Sequence, residues 1–342
     1  MQAIHINEFV KDLSDLGPRD VEIPQRKGEK DLVVKITHAA LTHVDMLYAQ
    51  GLHQNNRRHV KPPFILGTEF AGVITSCSPS SSFQPGTKVF GGSLGSFADY
   101  VRADESSVRR VPDQWTNAEA CAVGASGAVS WGSLVFVAGL KRGETALILG
   151  ASGGLGVMAV QIAKAVGAKA IAIVGDEEKA KMIQEAGADD VVNYREDKWE
   201  EKVKALTHDG EGVDVVYDAI GAVESGIKCL RYRGRLVIVG FAARDGNIEK
   251  VLANRILLKS ITVHGYRFGE DGRRFPQNTE TVWQGFLKLV EDGSIKPVIY
   301  REKYFGLRSI SRALEDLRAH RTWGRAILTI SEDVDVEEKA RL

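Results

Sequence analysis

The sequence predicts an α/β protein in which a doubly wound parallel sheet is inserted into a β-rich module. Two observations carry this expectation. Between Glu144 and Lys164 an apolar run, Ala146-Leu147-Ile148-Leu149, is followed by Gly153, Gly154 and Gly156 and then by apolar residues at helical spacing. That order is strand, glycine turn, helix. From there to about residue 265 apolar strand runs alternate with helical patterns, and on either side the alternation is lost.

Residues 1–121 read as short strands, Val33–Ile36, Phe64–Leu66, Gly72–Ile74 and Lys88–Phe90, broken by loops such as Ser78–Ser82 and Pro85-Gly86. They suit a β-rich module or a partly open barrel. Ala118–Ala138 is apolar, rich in small residues and expected to be a helix joining this module to the glycine stretch. Residues 122–265 supply strands at Ala146–Leu149, Ala170–Val174, Val191-Val192, Val213–Val216 and Leu236–Val239. Helices are expected at Val157–Lys164, Glu177–Ala186 and Trp199–Leu206. Five strands joined by crossover helices argue for a parallel, doubly wound sheet. Residues 266–330, with helices near Thr281–Glu291 and Ile310–Ala319 and a strand at Ala326–Ile330, are expected to return to the first module. Residues 331–342 are polar and charged, and are expected to be a disordered tail.

The 342 residues carry 45 basic and 45 acidic side chains, so net charge calls for no polyanionic partner. Arg57-Arg58-His59-Val60-Lys61 and Arg273-Arg274 have no stacking aromatics between them and read as solvated faces, not nucleic-acid contacts. Cys77, Cys121 and Cys229 are too scattered for a disulfide framework or a zinc pair, which suits a cytoplasmic location. Met1–Val10 lacks a secretory pattern, and no run of about 18 apolar residues is free of charges and glycine clusters, so no membrane span is expected.

Read as [G/A]-x-G-x-x-G, the glycine turn puts Ala151, Gly153 and Gly156 at the motif positions. The stretch Ala151, Ser152, Gly153, Gly154, Leu155, Gly156 is then the one expected to face a dinucleotide pyrophosphate, with helix N–H groups receiving its charge.

With this turn stand Leu66-Gly67-Thr68-Glu69-Phe70-Ala71-Gly72, Gln161–Lys164, Gly187-Ala188-Asp189 leading to Asn193-Tyr194-Arg195, Asp214–Asp218, Gly234–Val237 and Gly324-Arg325. Over almost its whole length the chain thereby resembles medium-chain dehydrogenase/reductases, and among them the zinc-free, zeta-crystallin-like quinone oxidoreductases. The resemblance implies a Rossmann domain inserted in a GroES-like catalytic domain. It also implies a homodimer paired through the outer edge of the nucleotide sheet, around Leu236–Gly240 and Ile261–Gly265. Zinc-dependent relatives carry a cysteine where this chain has Thr42 and a histidine where it has Thr68, and the four-cysteine lobe is missing. Threonine is a poor zinc ligand, so no metal is expected.

The same resemblance places Thr42 beside the nicotinamide, where its hydroxyl would meet a ribose hydroxyl or a substrate oxygen. Asp45 would brace that loop in preference to acting as a base. Tyr48 and His53 are the nearest donors along it, for an oxyanion or its protonation, unless they merely line the loop. Ser130, Gly240 and Phe241 are further implied cofactor contacts. Counting about 20 residues past Gly156 reaches Asp176, an acid of the NAD type. The family match favours NADPH instead, with Lys179 and Tyr194 at the 2′-phosphate. The expected activity is hydride transfer from NADPH to a quinone or an α,β-unsaturated carbonyl. The alternatives are reduction of an enoyl thioester or polyketide-type intermediate, or a dinucleotide-binding regulatory role with little turnover.

Overall fold

The computed structural model describes residues 1–243 and 247–331. The tail expected over 331–342 therefore lies, beyond Ser331, outside the described residues. The chain forms two compact units: Met1–Ala125 together with the residues from Pro297 on, and Ser126–Lys296.

The first unit begins with β1 (Gln2–Ile6), β2 (Pro18–Asp20), β3 (Asp31–Ala40), α1 (His43–Gln50), β4 (Phe64–Ile65), β5 (Glu69–Ser76), β6 (Lys88–Gly92), β7 (Tyr100–Asp104) and β8 (Val108–Arg110). Helix α2 (Asn117–Trp131) carries the chain into the second unit, and at Gly124 (φ 44°, ψ −144°) its helical conformation breaks. Along β3 the residues Leu32, Val34 and Ile36 alternate onto one face and pack with Phe70, Ile74 and Val89. Farther along the same strand Ala39 joins a second cluster with Ile4, Leu66 and Phe97.

The second unit runs β9 (Thr145–Leu149), α3 (Gly154–Val166), β10 (Lys169–Val174), α4 (Glu177–Glu185), β11 (Asp190–Asn193), α5 (Trp199–Ala205) and β12 (Val213–Asp218). It continues with α6 (Val223–Cys229), β13 (Leu230–Ile238), α7 (Ala253–Lys259), β14 (Thr262–Gly265), α8 (Phe268–Arg274) and α9 (Pro276–Glu291). Its sheet has the order β11-β10-β9-β12-β13-β14, and every neighbouring pair is parallel. Ala146–Leu149 and Ala170–Val174 are buried throughout, as a sheet covered on both faces requires. The connections reverse direction between β9 and β12, the switch point where open α/β sheets bind ligands.

A sixth strand, β14, joins the five expected. It also moves the sheet edge: Leu236–Ile238 belongs to β13, which is paired on both sides, and β14 is the edge strand on that side. The return to the first unit comes at Pro297 rather than at residue 266. Residues 266–296 stay with the second unit because α9 packs on the end of α2 that belongs to it: the Phe286 ring occupies the space a side chain on Gly127 would need, and Trp131 does the same at Gly285. After Pro297 come β15 (Tyr304–Phe305), α10 (Ile310–Arg318) and β16 (Ile327–Thr329). Strand β16 pairs antiparallel with β3, Ile327 opposite Ala40.

One helical stretch, Asn117–Val137, is long and apolar, with a mean hydropathy of 1.6, and is interrupted by Glu119, Gly124, Gly127 and Gly132. Its most apolar window is 67% buried within the protein, as in a core helix.

Candidate functional site

In the first unit, the segment expected as a loop at Thr42–Asp45 is the start of a helix. Thr42 is the N-cap of α1, and Asp45 completes a capping box. The Asp45 N–H donates to Thr42 Oγ1 at 3.2 Å, and Thr42 N–H donates to Asp45 Oδ2 at 2.8 Å. The Thr42 hydroxyl donates to the same Oδ2 at 2.8 Å, and the Thr68 hydroxyl donates to Oδ1 at 2.9 Å. The proton of Thr42 is thus directed into Asp45, which leaves its oxygen an acceptor toward any ribose or substrate group. Asp45 itself is fully buried. It braces both threonines.

Next to it, Glu69 forms an ion pair with the buried Arg325 and receives the Ala125 N–H at 3.3 Å. A side chain at Gly124 would collide with the Glu69 carboxylate, so the break in α2 makes room for it. The sequence carries no signal for this pair beyond Gly324-Arg325 as a mark of resemblance, because the partners lie 256 residues apart.

Tyr48 and His53 do come together, with ring centroids 4.5 Å apart. Tyr48 is only 8% exposed and packs in the core, with Asn55 Nδ2 donating to its hydroxyl at 2.9 Å. The Asn55 N–H donates to His53 Nδ1 at 3.1 Å. A neutral His53 ring therefore carries its proton on Nε2.

In the second unit, the turn from Gly150 to Gly156 has the geometry of a phosphate cradle. A side chain on Gly156 would press on Gly150 O and lie 2.5 Å from Ala151 Cα, so this glycine permits close helix–strand packing. A Cβ on Gly153 would meet nothing nearer than Gly150 O at 3.8 Å. Gly153 caps α3 without a side-chain hydrogen bond, leaving the first N–H groups of a 13-residue helix facing that space. A side chain on Gly150 would lie 2.6 Å from Ile220 Cγ2, and one on Gly240 2.9 Å from Ala219 O. The glycine turn and Gly240 with the half-exposed Phe241 thus flank the end of β12. Ser130 is elsewhere. It is fully buried, donating to Leu155 O at 2.9 Å and lying 3.0 Å from the Tyr217 hydroxyl, and so supports the turn from below.

Beyond β10, Asp176 caps α4 by accepting the Lys179 N–H at 2.9 Å, while Lys179 Nζ lies 3.2 Å from its other oxygen. Burial works to raise the Asp176 carboxyl, but the Lys179 hydrogen bonds and the Lys179 and Arg195 charges hold it below the usual range. The ring of Tyr194 lies against Gly175, where a Cβ would approach it to 2.8 Å. Asp176, Lys179 and Tyr194 therefore gather at the end of the second strand of the motif.

Comparison with known proteins shows the family. The family described as zinc-binding dehydrogenase matches residues 154–287, and the alcohol dehydrogenase GroES-like domain matches residues 28–113. A probable oxidoreductase from Mycobacterium abscessus has a similar crystal structure, with a TM-score of 0.84 and 32% identity, covering 96% of this chain and 98% of that one. Quinone oxidoreductase from Homo sapiens is 28% identical over 330 residues, 93% of this chain and 94% of the human protein. The chain belongs to the quinone oxidoreductase family of medium-chain dehydrogenase/reductases. It is an oxidoreductase, with a Rossmann unit and a GroES-like unit. The Escherichia coli quinone oxidoreductase, solved in complex with NADPH, is 26% identical with a TM-score of 0.85, covering 96% of this chain and 100% of that one.

The residues at the two zinc positions of the wider superfamily do not fit a metal ion. Thr42 and Thr68 are hydroxyls whose protons point into Asp45, and Glu69 is held by Arg325. Among the described residues no group of three or more His, Cys, Asp or Glu side chains is placed to hold one.

Proposed function

We propose that this protein reduces a quinone or a conjugated carbonyl with NADPH, without a zinc ion. The observation that carries the reading is the cradle at Gly153: open space over bare helix N–H groups, at the switch point of a parallel sheet. The E. coli relative with NADPH supports the choice of cofactor. When bound, the nicotinamide supplies a hydride to the electron-poor carbon of the acceptor. The chain's own residues bind and orient. The α3 N–H groups and Gly153 receive the pyrophosphate, and Lys179 with Tyr194 receives the 2′-phosphate once Lys179 turns from Asp176 toward the stronger anion. Without zinc, charge developing on the acceptor oxygen is met by hydrogen-bond donors. Of the two expected donors we favour His53, which is less buried than Tyr48. The three free cysteines agree with a reducing, cytoplasmic setting.

The test is a steady-state screen of NADPH oxidation over quinones, enones and enoyl thioesters. Turnover of quinones or enones, retained after exhaustive chelation, is expected. Turnover confined to enoyl thioesters, or abolished by the chelator and restored by zinc, overturns the reading.

A further inference from the structure

We propose that Asp45 is a buried proton store that feeds Thr68, and through Thr68 the oxygen of the reduced substrate. The inference deepens the proposed reduction and rests on that reading for its last step.

The argument begins with an uncompensated charge. Asp45 is fully enclosed, yet among the described residues no cation pairs with it. The nearby Arg325 is ion-paired with Glu69, and its charge reaches Asp45 only beyond ion-pair distance. A buried carboxylate with neutral partners only is costly unless it can take up a proton. Its three partners are one backbone N–H and two hydroxyls. A hydroxyl can reverse its bond by rotating, so the network accepts a proton with no displacement of a heavy atom.

The direction of flow follows from the two threonines. Thr42 already accepts the Asp45 backbone N–H and is 8% exposed. Thr68 donates to Asp45 Oδ1 at 2.9 Å, and its side of the network is less deeply buried. A proton placed on Oδ1 makes the carboxyl the donor and Thr68 Oγ1 the acceptor. The Thr68 hydroxyl must then point its own proton away from Asp45. It becomes a donor toward the site.

In the reaction, hydride addition to the acceptor carbon leaves an electron pair on the substrate oxygen. That oxygen takes the Thr68 proton while Thr68 takes the Asp45 proton, so one O–H bond forms on substrate for the one lost from Asp45. Asp45 is left as the carboxylate with two inward hydroxyls, and water restores its proton in the next cycle.

The surrounding charges are few. Glu69 on β5 raises the Asp45 carboxyl, Arg325 faces Glu69, and Cys121 on α2 is a buried thiol. On α10, which packs against α1, Glu315 pairs with Arg318, Asp316 with Arg321, and Arg312 lies over the Tyr304 ring. Burial is the largest influence on Asp45 and pushes it up to about 7, against the lowering hydrogen bonds of Thr42 and Thr68.

Two measurements test the store. Infrared difference titration of the cofactor-free protein should reveal a carboxyl that takes up its proton near pH 7, absent in Asp45→Asn. In Thr68→Val its midpoint should rise, since a hydrogen bond to the carboxylate is gone. In the presence of NADPH and acceptor, kcat should fall about tenfold per pH unit above that midpoint. This dependence should vanish in Asp45→Asn and Thr68→Val, whose rates match the slow alkaline rate of the parent, and should return in Thr68→Ser. No carboxyl titrating near neutrality, or a parent kcat that is flat from about pH 6 to about pH 9, overturns the proposal. If no acceptor is reduced, the proposed reduction fails separately, and the infrared titration alone decides whether Asp45 stores a proton.

Discussion

Lys179 and Asp176 put a cation and an anion at the same place, and the sequence left the choice of cofactor divided between them. The structure explains the division: each holds the other, so neither charge is free of the other's influence. Charge-assisted contacts to a phosphate are worth roughly 1.5–3 kcal/mol. Lys179→Ala should therefore weaken NADPH by about one to two orders of magnitude and leave NADH nearly unchanged, as read by fluorescence titration of both cofactors. Asp45 carries a second prediction. Its folded carboxyl sits near 7, above its unfolded value, so the folded state binds the extra proton. Its contribution to stability is full below about pH 4 and is lost as pH rises to about 7. Asp45→Asn should thus gain Tm relative to the parent across that window, and a constant difference from acid to neutral pH would count against it. A bracing Asp45 is an implication of the resemblance. What could not be read was that Thr68, known only as a missing zinc ligand, holds the other oxygen.

At the scale of elements, most of the second unit could be read because buried parallel strands leave uninterrupted apolar runs. Helix α1 has the sequence signature of a loop, since it is short and its buried residues Met46, Tyr48 and Ala49 make no long stripe. Strand β14 is only four residues long with an exposed pattern, so it had no apolar signature to find. The glycine turn makes the sharpest prediction here, because two of its glycines have different reasons to be glycine. Gly156→Ala forces a clash with the backbone of Gly150 and Ala151 and should lower Tm in the absence of any cofactor. Gly153→Ala meets no protein atom closer than 3.8 Å, and should melt like the parent while losing NADPH affinity. Equal effects of both on cofactor-free stability would show that Gly153 is not reserved for a ligand.

For the whole molecule, the outer edge of β14 has no strand partner among the described residues. Close in sequence lie Leu257 and Leu258, 77% and 72% exposed. An uncovered edge beside apolar side chains invites pairing, and the protein is expected to be a homodimer through it. Light scattering should give a dimer for the parent and a monomer for Leu257→Asp/Leu258→Asp; a monomeric parent at micromolar concentration would refute this. The return point at Pro297 is not legible in the sequence, because the buried stripe of α9 declares that a helix is covered without declaring by what.

The partners Glu69 and Arg325 stand 256 positions apart, and β3 is paired by β16. A ribosome therefore releases every strand of the parallel sheet before it makes the residues that finish the first unit. The inserted unit can close while its host still waits for its last strand. A nascent chain arrested after residue 296 has emerged should hold a protease-resistant core spanning 126–296, with the first 125 residues open to cleavage until β16 and Arg325 arrive.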